Sequence, residues 1–195
     1  MSLLQAGDRP FICSGSPLAC KIFIVGCNPA TGGAGFQEHF GESGFDYGAW
    51  WKDYLDARQK SGKRTKASPT RRNIRIISEV LQSTGLSALE TNVYATPSTR
   101  KSLLSPKDQD TAVFDFLLQS IGPTLLFIHG KDACRAIEQR IKGPLVGDGW
   151  NRIGGRKCYC VLDRHLSYRY SGAEAERTGR KLAHLYQLHL AGSFP

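Results

Sequence analysis

The sequence has 195 residues, a formal net charge of +9 and a pI near 9.4. This length suits one domain with a full hydrophobic core, and no apolar run approaches the roughly 20 residues of a membrane span. The charge favours a polyanionic partner, because binding to phosphates releases condensed counterions. The six cysteines form neither a Cys-x-x-Cys pair nor a zinc-ligand pattern. We therefore expect reduced thiols and a cytoplasmic protein, nucleoid-associated in a bacterium. No signal peptide is expected, because the first residues lack a basic region followed by an apolar core.

The first predicted element is a buried strand over residues 20–26, preceded by an arm over residues 1–19 that is punctuated by Pro, Gly and Ser. A short apolar, β-branched run bounded by Gly and Pro is typical of such a strand. A glycine-rich loop with several aromatic residues is predicted over 27–47, and long loops inside compact domains are usually functional. Asn28, at the start of this loop, is about equally typical of a ligand-binding residue and of an ordinary Asn-Pro turn.

The next stretch, residues 58–75, carries many basic side chains and no acidic one. Such a block is usually a solvated surface, but in a basic protein a phosphate-binding surface is an equally good interpretation. Its basic residues are Arg58, Lys60, Lys63, Arg64, Lys66, Arg71, Arg72 and Arg75.

Helices and strands alternate along the whole sequence. This order predicts a parallel sheet with helices on both faces: a three-layer αβα sandwich with a central four-stranded sheet, in a single domain over 1–195. The predicted strands are 20–26, 88–94, 125–128 and 157–162, and loops are expected over 143–156 and 163–169. The predicted helices are 48–58 (with Trp51, Tyr54 and Leu55 packed inward), 70–84 (capped by Thr70, with Ile74, Ile77, Val80 and Leu81 inward), 105–120, 131–141 and 173–190.

Polar residues follow three of the predicted strands, namely Asn28, Asn92 and His165. The carboxyl ends of parallel strands meet at one edge of a sheet, where ligands bind in open α/β folds. We therefore expect these three side chains to converge on one site.

Several segments resemble the uracil-DNA glycosylase superfamily. Gly26-Cys27-Asn28-Pro29 is similar to the Gly-x-Asn-Pro-Gly motif of its mismatch-specific and single-strand-selective branches. Phe40-Gly41 matches the spacing of a base-stacking Phe, Trp50-Trp51-Lys52 resembles an aromatic helix opening, and Asn92 falls at the position of a uracil-reading Asn. His165-Leu166-Ser167-Tyr168-Arg169 resembles the second motif, His-Pro-Ser-Pro-Arg. The resemblance covers roughly residues 20–190, in the right order.

The sequence departs from the family at three motif positions: Ala30 replaces a glycine, while Leu166 and Tyr168 replace prolines. The cysteines also lack the spacing of the iron–sulfur branches, so no cluster is expected. These departures bear on substrate choice more than on fold.

The resemblance implies a monomeric DNA glycosylase without metal or cofactor, acting on single- or double-stranded DNA. Asn28 would hold the attacking water and His165 would stabilise the departing base. Cys27, Phe40 and Asn92 would contact that base, with Phe40 stacked on it and Asn92 reading its edge. Leu166 and Arg169 would fill the gap left in the stack. DNA contacts would come from Leu166, Ser167, Tyr168, Arg169, Lys63, Arg64, Lys66, Arg71 and Arg72.

Three alternative functions are also compatible with the sequence. One is a nucleic-acid-binding protein on the same fold without catalysis. A second is an α/β enzyme with Cys27 as nucleophile, although the Gly-x-Ser-x-Gly elbow is absent. A third is nucleotide binding by the loop over 26–35, which fits neither a Rossmann fingerprint nor a P-loop. The base that a glycosylase would excise (uracil, a deaminated purine or mismatched thymine) also stays open.

Overall fold

The computed structural model describes residues 7–30, 36–62, 66–167 and 169–193. Within these ranges the chain forms a mostly parallel six-stranded sheet, a small hairpin and five α-helices. The strands are β1 (Phe11–Ile12), β2 (Ile22–Gly26), β3 (Phe40–Gly41), β4 (Gly44–Phe45), β5 (Ala88–Asn92), β6 (Leu125–His129), β7 (Gly149–Ile153) and β8 (Arg156–Asp163). The helices are α1 (Tyr47–Lys60), α2 (Pro69–Ser83), α3 (Ala112–Ile121), α4 (Lys131–Ile141) and α5 (Gly172–Leu190).

The main sheet has the strand order β1-β5-β2-β6-β8-β7. The four predicted strands correspond to β2, β5, β6 and β8, and they pair in parallel. The prediction of a four-stranded sheet is wrong, because β1 and β7 add antiparallel strands at its two edges. The first lies in the predicted arm. The second lies in the segment predicted as a loop, where Gly154 and Gly155 turn the chain back into β8.

Helices pack on both faces of this sheet, which is compatible with a three-layer sandwich. Every residue of β2 is buried, and its side chains alternate between two apolar cores. Phe23 and Val25 belong to the core that α3 and α4 cover. Ile22 and Ile24 belong to the core beneath α2 and α5. Among the described helices, none combines the length and the apolar character that crossing a bilayer requires.

The structure corrects three expectations about the helices. Ser68, not Thr70, caps α2, since its hydroxyl accepts from the Arg71 backbone N–H at 3.3 Å and Pro69 starts the helix. In α1, Trp50 is the buried residue, and the predicted inward side chains are only half-buried. The predicted helix over 105–120 is split. The first part of the predicted helix forms only a single 3-10 turn over Pro106–Asp108, and α3 begins four residues after that turn.

The connections from β2 determine where a ligand can bind. The chain leaves β2 and forms β5 on one side of it, and the later strand β6 lies on the other side. The crevice beyond such a change of direction, at the carboxyl ends of the strands, is where open α/β sheets bind ligands.

Candidate active site

A cleft of about 1150 Å³ opens at the carboxyl ends of β5, β2, β6 and β8. Asn28, Asn92 and His165 all line it, as their positions after three parallel strands predict. The structure adds a fourth strand-end side chain, that of His129. The three side chains therefore lie in one cleft, as predicted.

Asn28 is held firmly at the start of the loop after β2. Its side-chain amide donates to the Ser98 carbonyl at 2.7 Å and to the Pro29 carbonyl at 3.3 Å. The Ser98 N–H donates back to the Pro29 carbonyl at 2.8 Å. Because both donors are directed at the protein backbone, the Oδ1 oxygen is left as the acceptor, and no described residue donates to it.

Gly26 permits an unusually close approach of two neighbouring side chains. A Cβ at residue 26 would lie 2.6 Å from Oδ1 of Asn92 and 3.3 Å from Nε2 of His129. Asn92 comes from β5 and His129 from β6, the two strands that flank β2. The missing side chain therefore lets an amide oxygen and an imidazole edge each come close to the end of the central strand.

Two histidines stand side by side in the cleft, with ring centroids 5.3 Å apart. Burial, and then the nearby His165, lower the pKa of His129 from its ordinary 6.5 to about 3, although the Glu90 carboxylate opposes this shift. Burial also lowers the pKa of His165 and outweighs the Asp132 carboxylate, which acts to raise it. Both imidazoles are thus neutral near pH 7 and can donate one hydrogen bond each without carrying charge.

His129 was not predicted from the sequence. A polar residue at the end of a predicted strand was the available signal, and it is the same signal that identified the other three residues.

The inner wall of the cleft contains a buried charge cluster formed by Arg9, Arg71 and Glu90. Arg71 makes a two-pronged ion pair with Glu90, and Arg9 lies 3.3 Å from the same carboxylate. Burial acts to raise the pKa of Glu90, but the two guanidinium groups outweigh it and the pKa is lowered. The Arg71 guanidinium also lies over the Trp50 ring at 4.9 Å. Arg71 lines the cleft with its charge buried and paired with Glu90, and its contact with DNA stays a prediction.

Basic side chains outnumber acidic ones along the rest of the cleft wall. Six basic and three acidic residues line it outside the buried cluster. The basic ones are Arg58, Arg100, Lys101, Lys131, Arg135 and Arg164, and the acidic ones are Asp132, Glu138 and Asp163.

Two predicted DNA-binding residues of the basic stretch lie away from the cleft. Lys66 and Arg72 are exposed but do not line the cleft. Lys63 and Arg64 lie outside the described residues. Most of the basic wall thus comes from segments that the sequence did not single out.

Phe40 does not reach the cleft. It is 44% exposed on the β3–β4 hairpin, where it packs against Phe11 and Phe45 with ring centroids 6.0 and 6.1 Å away. It is not among the described residues that line the cleft. The expected stacking of Phe40 on a bound base is therefore absent from this conformation, because the aromatic cluster holds the ring away.

Cys27 does line the cleft, next to Asn28. Burial raises the pKa of its thiol to about 11. The thiolate that a nucleophilic cysteine needs is therefore scarce at neutral pH, which argues against the alternative of a cysteine nucleophile.

The loop after His165 differs from the expectation in one important respect. Leu166 is fully buried and packs in the core beneath α2 and α5, so the prediction that it fills a gap in the DNA stack is wrong. Asn73 fixes this arrangement by donating to the Leu166 and Tyr170 carbonyls at 3.3 and 2.8 Å. Ser167 is half-buried and Arg169 exposed, and neither lines the cleft. The predicted contact residue Tyr168 lies outside the described residues.

The cleft therefore combines neutral hydrogen-bonding groups at the strand ends with a basic outer wall. Amide and imidazole side chains suit a polar, uncharged ring, and the basic wall suits phosphates attached to it. Within the described ranges, no group of three or more His, Cys, Asp or Glu side chains is placed to hold a metal ion. Comparison of the chain with protein-family models and with curated protein sequences finds no match.

Proposed function

We propose that the protein is a monofunctional DNA glycosylase that hydrolyses the N-glycosidic bond of uracil or another deaminated base, the first step of base-excision repair. The observation that carries the proposal is the meeting of Asn28, Asn92 and His165 in one cleft with a basic wall. The motifs that resemble the uracil-DNA glycosylase superfamily assign a role to each of these residues. On this proposal the fold is the superfamily's three-layer αβα sandwich, with two added edge strands.

The substrate base must leave the helical stack before it can enter the cleft. The space of about 1150 Å³ is ample for one flipped nucleotide. Phosphates on either side of that nucleotide would contact the basic wall, including Arg100 and Lys101. These contacts would position the DNA without reading its sequence.

Inside the cleft, the Oδ1 atom of Asn28 accepts a hydrogen bond from a water molecule and holds it near C1′ of the sugar. An amide cannot remove the proton from that water early in the reaction. The C1′–N bond therefore breaks first, and its electron pair leaves with the base as an anion while the sugar becomes oxocarbenium-like. The water oxygen then bonds to C1′, its proton passes through solvent to the base, and an abasic site remains.

His165 stabilises the leaving base. Its neutral N–H donates to the carbonyl oxygen on which negative charge develops, an electrostatic effect typically worth a few kcal/mol. Asn92 presents both a donor and an acceptor to the edge of the base.

The test is base release from labelled oligonucleotides that contain uracil, hypoxanthine, xanthine or mismatched thymine, in single- and double-stranded form. Release by the wild type, lost in Asn28→Ala, is the expected result and identifies the base. No release from any of these substrates would refute the proposed activity.

A non-catalytic nucleic-acid-binding protein is the second candidate. Two observations favour it: Phe40, expected to stack on the base, lies away from the cleft, and Leu166, expected to fill the gap in the DNA stack, is buried. The same assay separates the candidates, since DNA binding without base release would support the non-catalytic protein.

A further inference from the structure

His129 has no role in the proposed reaction, yet it occupies a costly position. It ends β6, is only 5% exposed and lines the cleft. Its Nδ1 atom is buried and has no hydrogen-bond partner among the described residues. Buried polar groups are nearly always hydrogen-bonded in folded proteins, so an exception needs an explanation.

The other edge of the ring faces the site. Nε2 of His129 approaches Gly26 from β6, and Oδ1 of Asn92 approaches it from β5. Both atoms lie within 3.3 Å of the place where a Cβ at residue 26 would be. The two atoms are therefore at most 5.9 Å apart at the end of the central strand.

The chemistry of this pair follows from the protonation state of the imidazole. Burial keeps the pKa of His129 near 3, so one ring nitrogen carries hydrogen and the other does not. Because Nδ1 has no described partner to hold the hydrogen, the hydrogen is free to reside on Nε2. The pair then offers an acceptor, the amide oxygen of Asn92, beside a donor, the imidazole N–H.

We propose that His129 is a base-reading residue, which together with Asn92 selects bases that carry a ring N–H next to a carbonyl. This inference rests on the proposed function and specifies its substrate class. Uracil and hypoxanthine have this edge. Cytosine and adenine present the reverse pattern, a bare ring nitrogen next to an amino group, so both contacts would fail. Deamination converts the rejected edge into the accepted one.

Binding of hydrolysis-resistant oligonucleotides tests this role separately from catalysis. The probes are single-stranded oligonucleotides with one 2′-fluoro-2′-deoxyuridine or one 2′-fluoro-2′-deoxycytidine. The readout is the ratio of the two dissociation constants, which a purely structural effect on folding would not change. We compare the wild type with His129→Leu, which removes the donor, and with His129→Gln, whose amide restores an N–H near the position of Nε2.

We expect the wild type to prefer the uridine probe and His129→Leu to lose at least ten-fold of that preference. His129→Gln should retain most of it. His184→Gln is the matched control, because His184 is exposed on α5 and does not line the cleft. For the case that His129→Leu does not fold, ¹⁵N NMR of the wild-type imidazole gives a second measurement. The Nε2 resonance should shift with the uridine probe and not with the cytidine probe.

The outcomes separate the two proposals. An unchanged preference in His129→Leu, or no preference in the wild type, overturns the role of His129 even if uracil is released. A preference that depends on His129 in a protein that releases no base supports the reading role and overturns the glycosylase.

Discussion

Replacing Gly26 by Ala is the sharpest test of the site geometry. The new Cβ would stand 2.6 Å from Oδ1 of Asn92, whereas ordinary van der Waals contact begins at 3.4 Å. The amide oxygen must therefore retreat by about 0.8 Å, and Nε2 of His129, at 3.3 Å, is also crowded. Misplacement of an active-site group by about 1 Å typically costs on the order of 10²-fold in rate, so we expect a loss of that size in base release.

Stability should change little in the same variant. Residue 26 ends a strand and its φ is not positive, so Ala is compatible with the backbone. Ala also gains roughly 0.5–1 kcal/mol over Gly in regular structure, which offsets part of the crowding. Gly143→Ala is the matched control, because a Cβ there meets no atom within 4 Å.

The assay is single-turnover base release, combined with urea unfolding of each variant. A double-mutant cycle with Asn92→Ala isolates the clash, since the second change removes the crowded atom. We expect Gly26→Ala to cost far less in the Asn92→Ala background than in the wild type. A wild-type rate for Gly26→Ala, or strictly additive losses, would refute this reasoning.

Four further predictions concern individual residues. Asn28→Ala should lower the single-turnover rate by about 10²-fold while DNA affinity, measured by fluorescence anisotropy, stays nearly unchanged; equal losses would contradict its role. Asn92→Asp should weaken the preference for uracil over cytosine in release assays, because a donor becomes an acceptor. The low pKa of His129 means that the unfolded state binds more protons between pH 6.5 and about 3. The contribution of neutral His129 to the free energy of unfolding should thus be fully present above pH 6.5. On acidification the free energy of unfolding should fall by up to about 1.4 kcal/mol per pH unit, and His129→Leu should reduce this slope. Arg100→Ala combined with Lys101→Ala should weaken binding to all sequences alike and reduce the salt slope of log K by roughly 1 per lost phosphate contact.

The central strands β2 and β6 could be predicted because continuous apolar runs leave few alternatives to a buried strand. The edge strand β7 could not be recognised by that signal, since its sequence alternates poorly and only Ile153 and Asn151 are buried. The Gly154-Gly155 pair, with both φ values positive, was the available sign of a hairpin. The split before α3 arises because Ser105 and Asp108 satisfy each other within one turn, so the capping signal is real but local.

The site could be predicted where position along a strand decides it, as for Asn28 and Asn92. It could not be predicted where packing between distant segments decides it. Phe40 joins an aromatic cluster with Phe11, and Leu166 is buried in the core beneath α2 and α5. The burial of Arg71 follows from helix periodicity, because it lies one turn before the inward Ile74 of α2, but its ion pair with a later strand has no local signal.

The stacking of Trp50 on Arg71 gives the protein an intrinsic optical probe of its cleft. Trp50 is buried, lies parallel to Tyr54 at 5.6 Å and sits beneath the guanidinium that binds Glu90. The chain has only three tryptophans, so replacing the other two with Phe would leave a single emitter. Its emission reports on the charge cluster at the inner wall of the cleft, and a ligand that displaces that cluster would be detected without any label.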